Sequence, residues 1–312
     1  MIIALSGGVG GAKLALGLSR VLPAEDLLVV VNTGDDFEHL GLCISPDIDT
    51  VTYTLAGLAN RELGWGRADE TWSFMETTEA LGGETWFRLG DRDVALHVER
   101  TRRLRNGESL STVTAGIAER LGIPQRIVPM SDDPVRTRLL TQDGWLDFQE
   151  YFVHRRCEPV VSQLEFHGAA TARPHPAFME ALADPKLDAV VICPSNPFIS
   201  VEPILAIPGV REAMAACAAP VIAVSPIIAG RAVKGPTAKM MAELGLDPSA
   251  GTVAQRYRDL LDGYVIDHAD MSEVVSIDAR VMLAQTLMTT MEDREALART
   301  VLEAAAVLRR RK

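Results

Sequence analysis

The first 31 residues have the pattern of a strand, a glycine-rich loop, a helix and a second strand. Ile2–Leu5 is a short apolar run ahead of the glycines, as in a buried strand. A helix opening near Gly11 carries apolar residues at helical spacing to Val21, and Pro23 ends it. Leu27–Val31 is apolar throughout, as are strands buried on both faces of a parallel sheet. This βαβ unit predicts an α/β fold with phosphate-type ligands at the carboxyl edge of its strands.

Strands and helices alternate again in the later part of the chain, after a less regular middle. Further strands are predicted at 126–129, 139–141, 148–153, 189–193 and 221–224. Further helices are predicted at 47–58, 69–80, 111–121, 210–217 and 292–309. We expect residues 1–312 to form a single α/β domain, in which about 60–175 is an irregular inserted cap over a mostly parallel sheet.

The chain carries 31 Lys and Arg against 42 Asp and Glu, a net charge of −11. Such an acidic chain is not expected to bind nucleic acid or an anionic membrane, so backbone amides, a metal or a few basic side chains would hold an anionic ligand. No apolar run is long enough to span a membrane, and no basic segment precedes the first strand as in a signal peptide. The four cysteines form no CxxC motif, so we expect a reducing, cytoplasmic location without disulfides or zinc.

Glycines dominate the turn between the first strand and the first helix, in the segment Gly7–Lys13. We expect the amides of this loop and the helix N-terminus to bind a nucleotide phosphate. The expected contacts are Gly7, Gly8, Gly10, Gly11 and Lys13. The segment does not fit a dinucleotide fingerprint, in which Lys13 would be glycine or alanine, or a Walker loop, in which Leu14 would be Ser or Thr. A tight turn without a ligand is the alternative.

Acidic residues follow the second strand and recur at the start of the next predicted helix. Asn32 begins where the strand ends, so it lies at the same edge as the glycine loop and is an expected nucleotide contact. Asp35 and Asp36 follow it, and Asp47 and Asp49 flank the helix start. Such carboxylates suit Mg²⁺, which takes one or two of them together with substrate oxygens. Helix capping is the alternative role for Asp47.

Charges of alternating sign surround a glycine in the segment Arg88-Leu89-Gly90-Asp91-Arg92-Asp93. We expect a loop that positions a polar ligand, and a surface salt-bridge cluster is the alternative. His97 follows as a phosphate ligand or base, unless it is a structural histidine. We interpret the four arginines within 100–105 as a solvated helix face rather than a diphosphate contact.

Two loops after later strands have polar side chains at the same edge of the predicted sheet. Ser195 and Asn196 stand between two prolines and offer hydrogen bonds to a base or phosphate, with a structural turn as the alternative. Lys234 is a further candidate for a phosphate contact. The basic end, 309–312, is interpreted as a solvated tail.

These segments occur in the order known for the 2-phospho-L-lactate transferase family, which the chain resembles from Met1 to about Pro236 and more weakly beyond. The blocks that carry the resemblance are SGGVGGAKL, NTGDDFEHLGLCISPDIDTVTYTL, WGRADETW, LGDRDVALH, PMSDDP, FQEYFVHRR, PSNPFISV and VSPIIAG. Eight ordered blocks are far more specific than a single glycine loop.

The resemblance implies a Rossmann-like core, a homodimer, a requirement for Mg²⁺ and a place in the biosynthesis of the deazaflavin coenzyme F-420. It implies transfer of a phospho-carboxylate unit (2-phospho-L-lactate, phosphoenolpyruvate or 3-phosphoglycerate) from its guanosine diphosphate conjugate to the deazaflavin alcohol Fo, releasing GMP. Asp49 and Arg88 match deazaflavin contacts of the family, and Asp91 is expected beside them. Asp49 is the first candidate to orient or deprotonate the attacking hydroxyl. The expected metal ligands are Asp35, Asp36, Asp47 and Asp49.

Two other classes of protein are alternatives. The gluconeogenesis-factor family shares a similar glycine-rich start and binds nucleotide sugars without known turnover, but the LGDRD and PDIDT segments favour the transferase. An NAD-dependent oxidoreductase is disfavoured by the glycine spacing and by Asn32, which stands where an acid is expected. Several relatives carry Trp after the paired acids, whereas this chain has Phe37-Glu38-His39, so the acceptor pocket is expected to differ in shape.

Overall fold

A parallel sheet of seven strands forms the centre of the computed structural model, which describes residues 1–60, 65–233 and 235–309. Lys234 and residues 310–312 of the predicted tail lie outside the described residues. The strands are β1 Ile2–Ser6, β2 Leu27–Val31, β3 Phe37–His39, β4 Leu42–Ile44, β5 Arg126–Pro129, β6 Arg136–Thr141, β7 Gly144–Asp147, β8 Val161–His167, β9 Ala189–Ile192, β10 Val221–Val224, β11 Ile227–Ile228, β12 Arg231–Ala232, β13 Gly263–Asp267 and β14 Arg280–Ala284. The helices are α1 Gly8–Val21, α2 Pro46–Leu55, α3 Ser73–Ala80, α4 Asp91–Arg105, α5 Leu110–Arg120, α6 Pro176–Ala183, α7 Glu202–Leu205, α8 Val210–Ala216, α9 Thr237–Glu243, α10 Ala250–Arg256 and α11 Met291–Arg309.

The central strands run in the order β5-β2-β1-β9-β10-β13-β14, and every neighbouring pair is parallel. One half of the sheet extends from β1 through β2 to β5, and the other extends from β9 to β14. The direction of winding therefore reverses between β1 and β9, where Leu5 lies beside Ile192. In sheets of this kind the crevice at such a reversal, at the carboxyl ends of the strands, is the usual ligand site. The α/β prediction with a Rossmann-like sheet is confirmed.

Apolar side chains cover both faces of the sheet. From β1, Ile3 and Leu5 join a core that also contains residues of α6, α8 and α10. Ile2 and Ala4 point to the opposite face and join a core built with α1, α2 and α11. Burial on both faces explains why the central strands are apolar throughout. None of the helices in the described part of the chain is long and apolar enough to cross a membrane.

The middle of the chain contributes both to the central sheet and to the structure beside it. Within 60–175, strand β5 forms an edge of the central sheet by pairing with β2. The remainder includes α3, α4, α5 and an antiparallel sheet in the order β7-β6-β8. The β3–β4 hairpin packs with this region around a small core of Ile44, Met75 and Leu89. The predicted insert therefore includes one strand of the core sheet.

The strand predicted at 148–153 is wrong. The strand at this place is β7, which ends at Asp147, and a π-helical turn follows at Glu150–His154. Phe148 and Phe152 stack with their ring centroids 5.2 Å apart, and Tyr151 between them is buried. These aromatic residues stand at positions i, i+3 and i+4, which is helical spacing rather than the alternation of a strand.

Candidate active site

Three loops meet where the winding of the sheet reverses. The loops follow β1, β2 and β9, and they carry Gly7, Asn32 and Ser195. The Gly7 amide donates a hydrogen bond to Ser195 Oγ (3.0 Å), and this hydroxyl donates to the Gly7 carbonyl (2.8 Å). Asn32 Nδ2 donates to the Ile199 carbonyl (3.1 Å). The three segments expected at one edge of the sheet are therefore joined directly to one another.

Different structural constraints explain why each of these positions in the first loop is occupied by glycine. A Cβ atom on Gly10 would lie 2.3 Å from the Pro194 carbonyl oxygen, and one on Gly11 would lie 2.5 Å from Ser195 Oγ. Packing of α1 against the loop after β9 thus requires both residues to be glycine. Gly8 has a φ of +63°, which favours glycine, and a Cβ there would meet no atom within 4 Å. Of these three, Gly8 is the glycine that faces open space.

The other expected nucleotide contacts are partly engaged within the protein. Lys13 Nζ donates to the Met288 carbonyl at 2.7 Å. Asn196 Oδ1 accepts hydrogen bonds from the amides of Phe198 (2.9 Å) and Ile199 (3.4 Å), so this side chain caps the turn that follows. Asn196 Nδ2 is buried and has no hydrogen-bond partner among the described residues. Asn196 therefore keeps a free donor beside the crevice.

Asp47 crosses to the glycine loop instead of capping α2. Its Oδ1 accepts from the Gly8 amide (2.5 Å), and its Oδ2 accepts from Asn32 Nδ2 (2.9 Å). The same Asn32 amide lies 3.4 Å from Asp35 Oδ1. The capping alternative for Asp47 is therefore wrong, because the hydrogen bonds of its carboxylate go to residues outside α2. Asp35 and Asp47 form a carboxylate pair around one amide group.

Burial perturbs the acids of this pair and their neighbour Asp36. Burial raises the pKa of Asp47 to about 6, and burial together with the charge of Asp47 raises the pKa of Asp35 well above its ordinary value. Burial raises the pKa of Asp36 to about 7, although Arg136 and Ser45 oppose this rise. Ser45 Oγ donates to Asp36 Oδ2 at 2.8 Å, whereas Asp36 Oδ1 has no partner within the described part of the chain. Buried acids with raised pKa values are typical of sites that bind a cation or protons.

Asp49 belongs to a different cluster. The Arg100 guanidinium donates from Nη1 to Asp49 Oδ2 (3.1 Å) and from Nη2 to Asp49 Oδ1. In the described ranges, no three His, Cys, Asp or Glu side chains are arranged to hold a metal by themselves. Of the four expected metal ligands, Asp35 and Asp47 therefore share the Asn32 amide, Asp36 accepts from Ser45, and Asp49 is ion-paired with Arg100.

The interpretation of the arginine run as a solvated face is wrong for Arg100, which is only 1% exposed. It is correct for Arg102, which pairs with Glu99 at the surface. Asp93, His97 and Arg100 stand at positions i, i+4 and i+7 and therefore share one face of α4, which turns inward toward Asp49. This polar spacing was the signal in the sequence that could have identified Arg100.

The segment around Gly90 is a short loop, residues 88–90, that leads into the start of α4 at Asp91. Asp91 accepts hydrogen bonds from the amides of Ser73 (3.2 Å) and Phe74 (2.8 Å) at the start of α3. In return, Glu70 accepts from the amides of Arg92 (2.8 Å) and Asp93 (3.0 Å) at the start of α4. Reciprocal helix capping therefore explains Asp91, whose negative charge is also favoured by the helix dipole at the start of α3. A deazaflavin contact of Asp91 stays a prediction.

Aromatic side chains line the region between the β3–β4 hairpin and α4. Trp86 lies 4.9 Å from His39 and 5.1 Å from His154, measured between ring centroids, and its ring stacks nearly parallel to that of His154. Phe37 packs edge-on against Phe87 at 4.8 Å. Trp86 thus supplies an indole to the surroundings of the Phe37–His39 strand, which lacks a tryptophan of its own.

Arg88, the other expected deazaflavin contact, is exposed. Its guanidinium carbon lies 4.4 Å from the centre of the Trp72 ring. The cation and the indole face each other as in a cation–π contact. An exposed cation beside aromatic side chains is suited to a planar anionic ligand.

Comparison with known proteins gives matches along nearly the whole chain. The sequence model of the family described as 2-phospho-L-lactate transferase CofD matches residues 2–307. A phosphoenolpyruvate transferase of Kitasatospora aureofaciens is 43% identical, over 99% of this chain and 98% of its own. A 2-phospho-L-lactate transferase of Methanosarcina mazei is 39% identical, over 97% of this chain and 100% of its own. In fold, the chain is similar to the crystal structure of a UPF0052 family protein of Bacillus halodurans, with a TM-score of 0.63, 14% identity and 98% of each chain covered.

Proposed function

The chain belongs to the 2-phospho-L-lactate transferase family, and we propose that it transfers a phospho-carboxylate unit from a guanosine diphosphate conjugate to the deazaflavin alcohol Fo. The observation that carries the proposal is the junction of the loops after β1, β2 and β9 at the reversal of the sheet, where Ser195 bonds to Gly7 and the Asp35–Asp47 pair bonds to Asn32 and the Gly8 amide, in a chain that matches transferases over nearly its whole length. The reaction is a step of coenzyme F-420 biosynthesis. Relatives with transferase names favour this function over a nucleotide-sugar-binding regulator.

The reaction requires one phosphorus–oxygen bond to form and one to break. The primary hydroxyl of the ribityl chain of Fo attacks the phosphorus that bears the carboxylic acid unit, and its proton passes to a base, for which Asp49 is the candidate, and from there to solvent. The bond from this phosphorus to the oxygen bridging to the guanosine phosphate breaks, and GMP leaves. Most of the rate of such transfers comes from holding the reacting atoms in line and stabilising the developing charge, without a covalent intermediate on the protein.

The residues at the crevice are suited to hold the donor diphosphate. Gly8 leaves room at the first turn of α1, where the helix dipole favours an anion. Asn196 Nδ2 is a buried donor that needs an acceptor oxygen. A phosphate oxygen of the donor would satisfy it.

The acceptor is expected on the other side of the acids, toward α4. Arg88 and Trp86 offer a cation and an indole to the deazaflavin ring, and Asp49 is the acid expected to contact its ribityl hydroxyl. Donor and acceptor would then approach each other across the loop that contains Asp35 and Asp36.

We propose that the active assembly is a homodimer.

The residues present fit Mg²⁺ held jointly with the donor. Asp35 and Asp47 are buried carboxylates of raised pKa, and they form no ion pair within the described residues. Asp36 Oδ1 has no hydrogen-bond partner in the part of the chain that the structure describes. Two carboxylates completed by phosphate oxygens and water make up the usual ligand set of Mg²⁺. When bound, the cation neutralises charge on the phosphates. Asp35, Asp36 and Asp47 are the residues that would hold it.

The test of the proposed function is turnover by the purified protein. It is incubated with Fo, Mg²⁺ and each of the three guanosine conjugates in turn, and product mass and GMP are measured. We expect a product with the mass of Fo plus the phospho-acid and an equal amount of GMP. Failure to bind Fo, together with no product from any donor, would overturn the proposal.

We expect chelation by EDTA to abolish transfer and added Mg²⁺ to restore it, because Asp35 and Asp47 need a cation when phosphate is bound beside them. Elemental analysis should find no stoichiometric zinc, since the cysteines are dispersed. Full activity in excess EDTA would contradict the prediction.

The melting temperature of the protein provides a second measurement of cation binding. The pKa of Asp36 rises from 3.8 to about 7 on folding, so the folded state holds more protons than the unfolded state in this window. The free energy of unfolding without cation should therefore fall as pH rises from about 4 to about 7. Mg²⁺ with the donor should raise the melting temperature more at the upper end of this range, and Asp47→Asn should weaken that effect.

A further inference from the structure

The largest fully buried side chain among the described residues is that of Arg100, and its guanidinium pairs with Asp49. Arg100 on α4 is 1% exposed, and its two terminal nitrogens donate to the two carboxylate oxygens of Asp49. Asp49 lies in the first turn of α2. A buried guanidinium on α4 therefore forms an ion pair with an acid on α2. Removing both charges from water costs free energy, so such a pair need not stabilise the fold. It can instead specify the geometry of the groups it joins.

Other groups fix the guanidinium itself. Arg100 Nη1 lies 3.4 Å from the Cys43 carbonyl oxygen and 3.2 Å from His97 Nδ1. Because a guanidinium has no acceptor, His97 Nδ1 accepts this hydrogen bond. The ring proton of the neutral imidazole is then on Nε2, which lies 3.3 Å from Asp93 Oδ1 but has no hydrogen-bond partner of good geometry among the described residues.

Tyr53 closes the chain of contacts from the side of α2. Its hydroxyl donates to Asp93 Oδ1 at 2.5 Å. Tyr53 and Asp49 both belong to α2, whereas Asp93, His97 and Arg100 belong to α4. The polar network therefore runs from α2 through α4 and back to α2, and it ends on the carboxylate of Asp49.

We propose that Arg100 is a positioning residue for the transfer reaction, which holds the Asp49 carboxylate in the orientation that receives the acceptor hydroxyl. This inference rests on the proposed function. The guanidinium uses one lone pair on each oxygen of Asp49, and each oxygen has a second lone pair with which to accept a hydrogen bond. Asp49 would then orient the ribityl hydroxyl of Fo toward the phosphorus. A planar fork fixes a carboxylate in two directions, whereas an ammonium group does not.

The experiment is a double-mutant cycle on turnover. Arg100→Lys keeps the charge and loses the fork, so kcat should fall by about tenfold to a hundredfold while KM for the donor stays within about twofold. In an Asp49→Asn background the same change should alter kcat by less than about twofold, because Arg100 acts through Asp49. Arg103→Lys is the matched control, since Arg103 lies on the same helix and pairs with Glu108 near the surface.

A second pair of variants covers the case in which Arg100→Lys does not fold. His97→Asn offers an oxygen near the position of Nδ1, and His97→Leu removes the acceptor. We expect His97→Leu to lose several-fold more kcat than His97→Asn, and we expect the difference to vanish in the Asp49→Asn background.

Failure of the inference about Arg100 and failure of the proposed function give different results. Equal losses from Arg100→Lys with and without Asp49, or an unchanged kcat, would overturn the role of Arg100 and leave the proposed function intact. Absence of transfer by the wild-type protein with all three donors would overturn the proposed function and this inference with it.

Discussion

Asp49→Asn is expected to slow transfer by a factor on the order of 10²–10⁴ while the protein stays folded, the range typical for loss of a group that handles the reacting proton. Asparagine has nearly the shape of aspartate and keeps an oxygen for the Arg100 guanidinium. It loses the charge, and its amide NH2 replaces one oxygen that accepts from Arg100 and that would face the ribityl hydroxyl. The measurement is kcat with Fo and the preferred donor, accompanied by a melting curve.

The choice of asparagine follows from the ion pair. Asp49→Ala would leave Arg100 buried without its partner, at a cost of about 3–5 kcal/mol, so lost activity would be difficult to separate from lost structure. Asp133→Asn is a suitable control, since Asp133 pairs with Arg173 at the surface and its loss changes the net charge equally. Near-normal turnover by folded Asp49→Asn would remove Asp49 from the reaction.

The fold was predictable where one physical signal dominates. The runs Ile2–Leu5 and Leu27–Val31 are apolar because the sheet is covered on both faces, and the strands lie at these positions within one residue. Helix boundaries were less certain: α1 begins at Gly8, ahead of its apolar residues, and α2 ends at Leu55 rather than Leu58. A helix terminus depends on hydrogen bonds that a sequence pattern does not contain.

The candidate site was predictable as far as topology determines it. Ser195 meets the glycine loop, and Asn32 meets the segment after β9 at Ile199, because the carboxyl ends of parallel strands share one edge. Arg100 could not be placed by charge alone, because the same arginine run also contains the exposed Arg102. What decides between them is the direction in which α4 faces, and that is fixed by packing over long sequence distances.

The glycine loop illustrates how a structure changes an expectation. Close approach of a nucleotide to Gly10 and Gly11 would explain their identity, and Gly10→Val would then block the donor alone. The structure gives a different reason, because backbone and side-chain atoms of the loop after β9 already occupy the space. Within the segment Gly7–Lys13, Gly8 is the glycine that combines a positive φ with open surroundings.

Gly10→Val is therefore expected to destabilise the whole protein by about 3 kcal/mol or more, at the upper end of overpacking effects. The first atom of the new side chain would lie 2.3 Å from the Pro194 carbonyl oxygen, and backbone cannot move aside as a flexible side chain can. We expect a lower melting temperature and parallel loss of donor and Fo binding, measured by titrating each ligand separately.

Gly8→Ala is the matched substitution in the same loop. Its Cβ would enter open space, and the positive φ should cost only about 1–2 kcal/mol. Because that space borders the Asp35–Asp47 pair through the Gly8 amide, donor affinity should fall while Fo binding is nearly unchanged. If Gly10→Val instead kept the wild-type melting temperature and lost only the donor, Gly10 would be a ligand contact. If Gly8→Ala left donor affinity unchanged, the diphosphate would have to lie away from the start of α1.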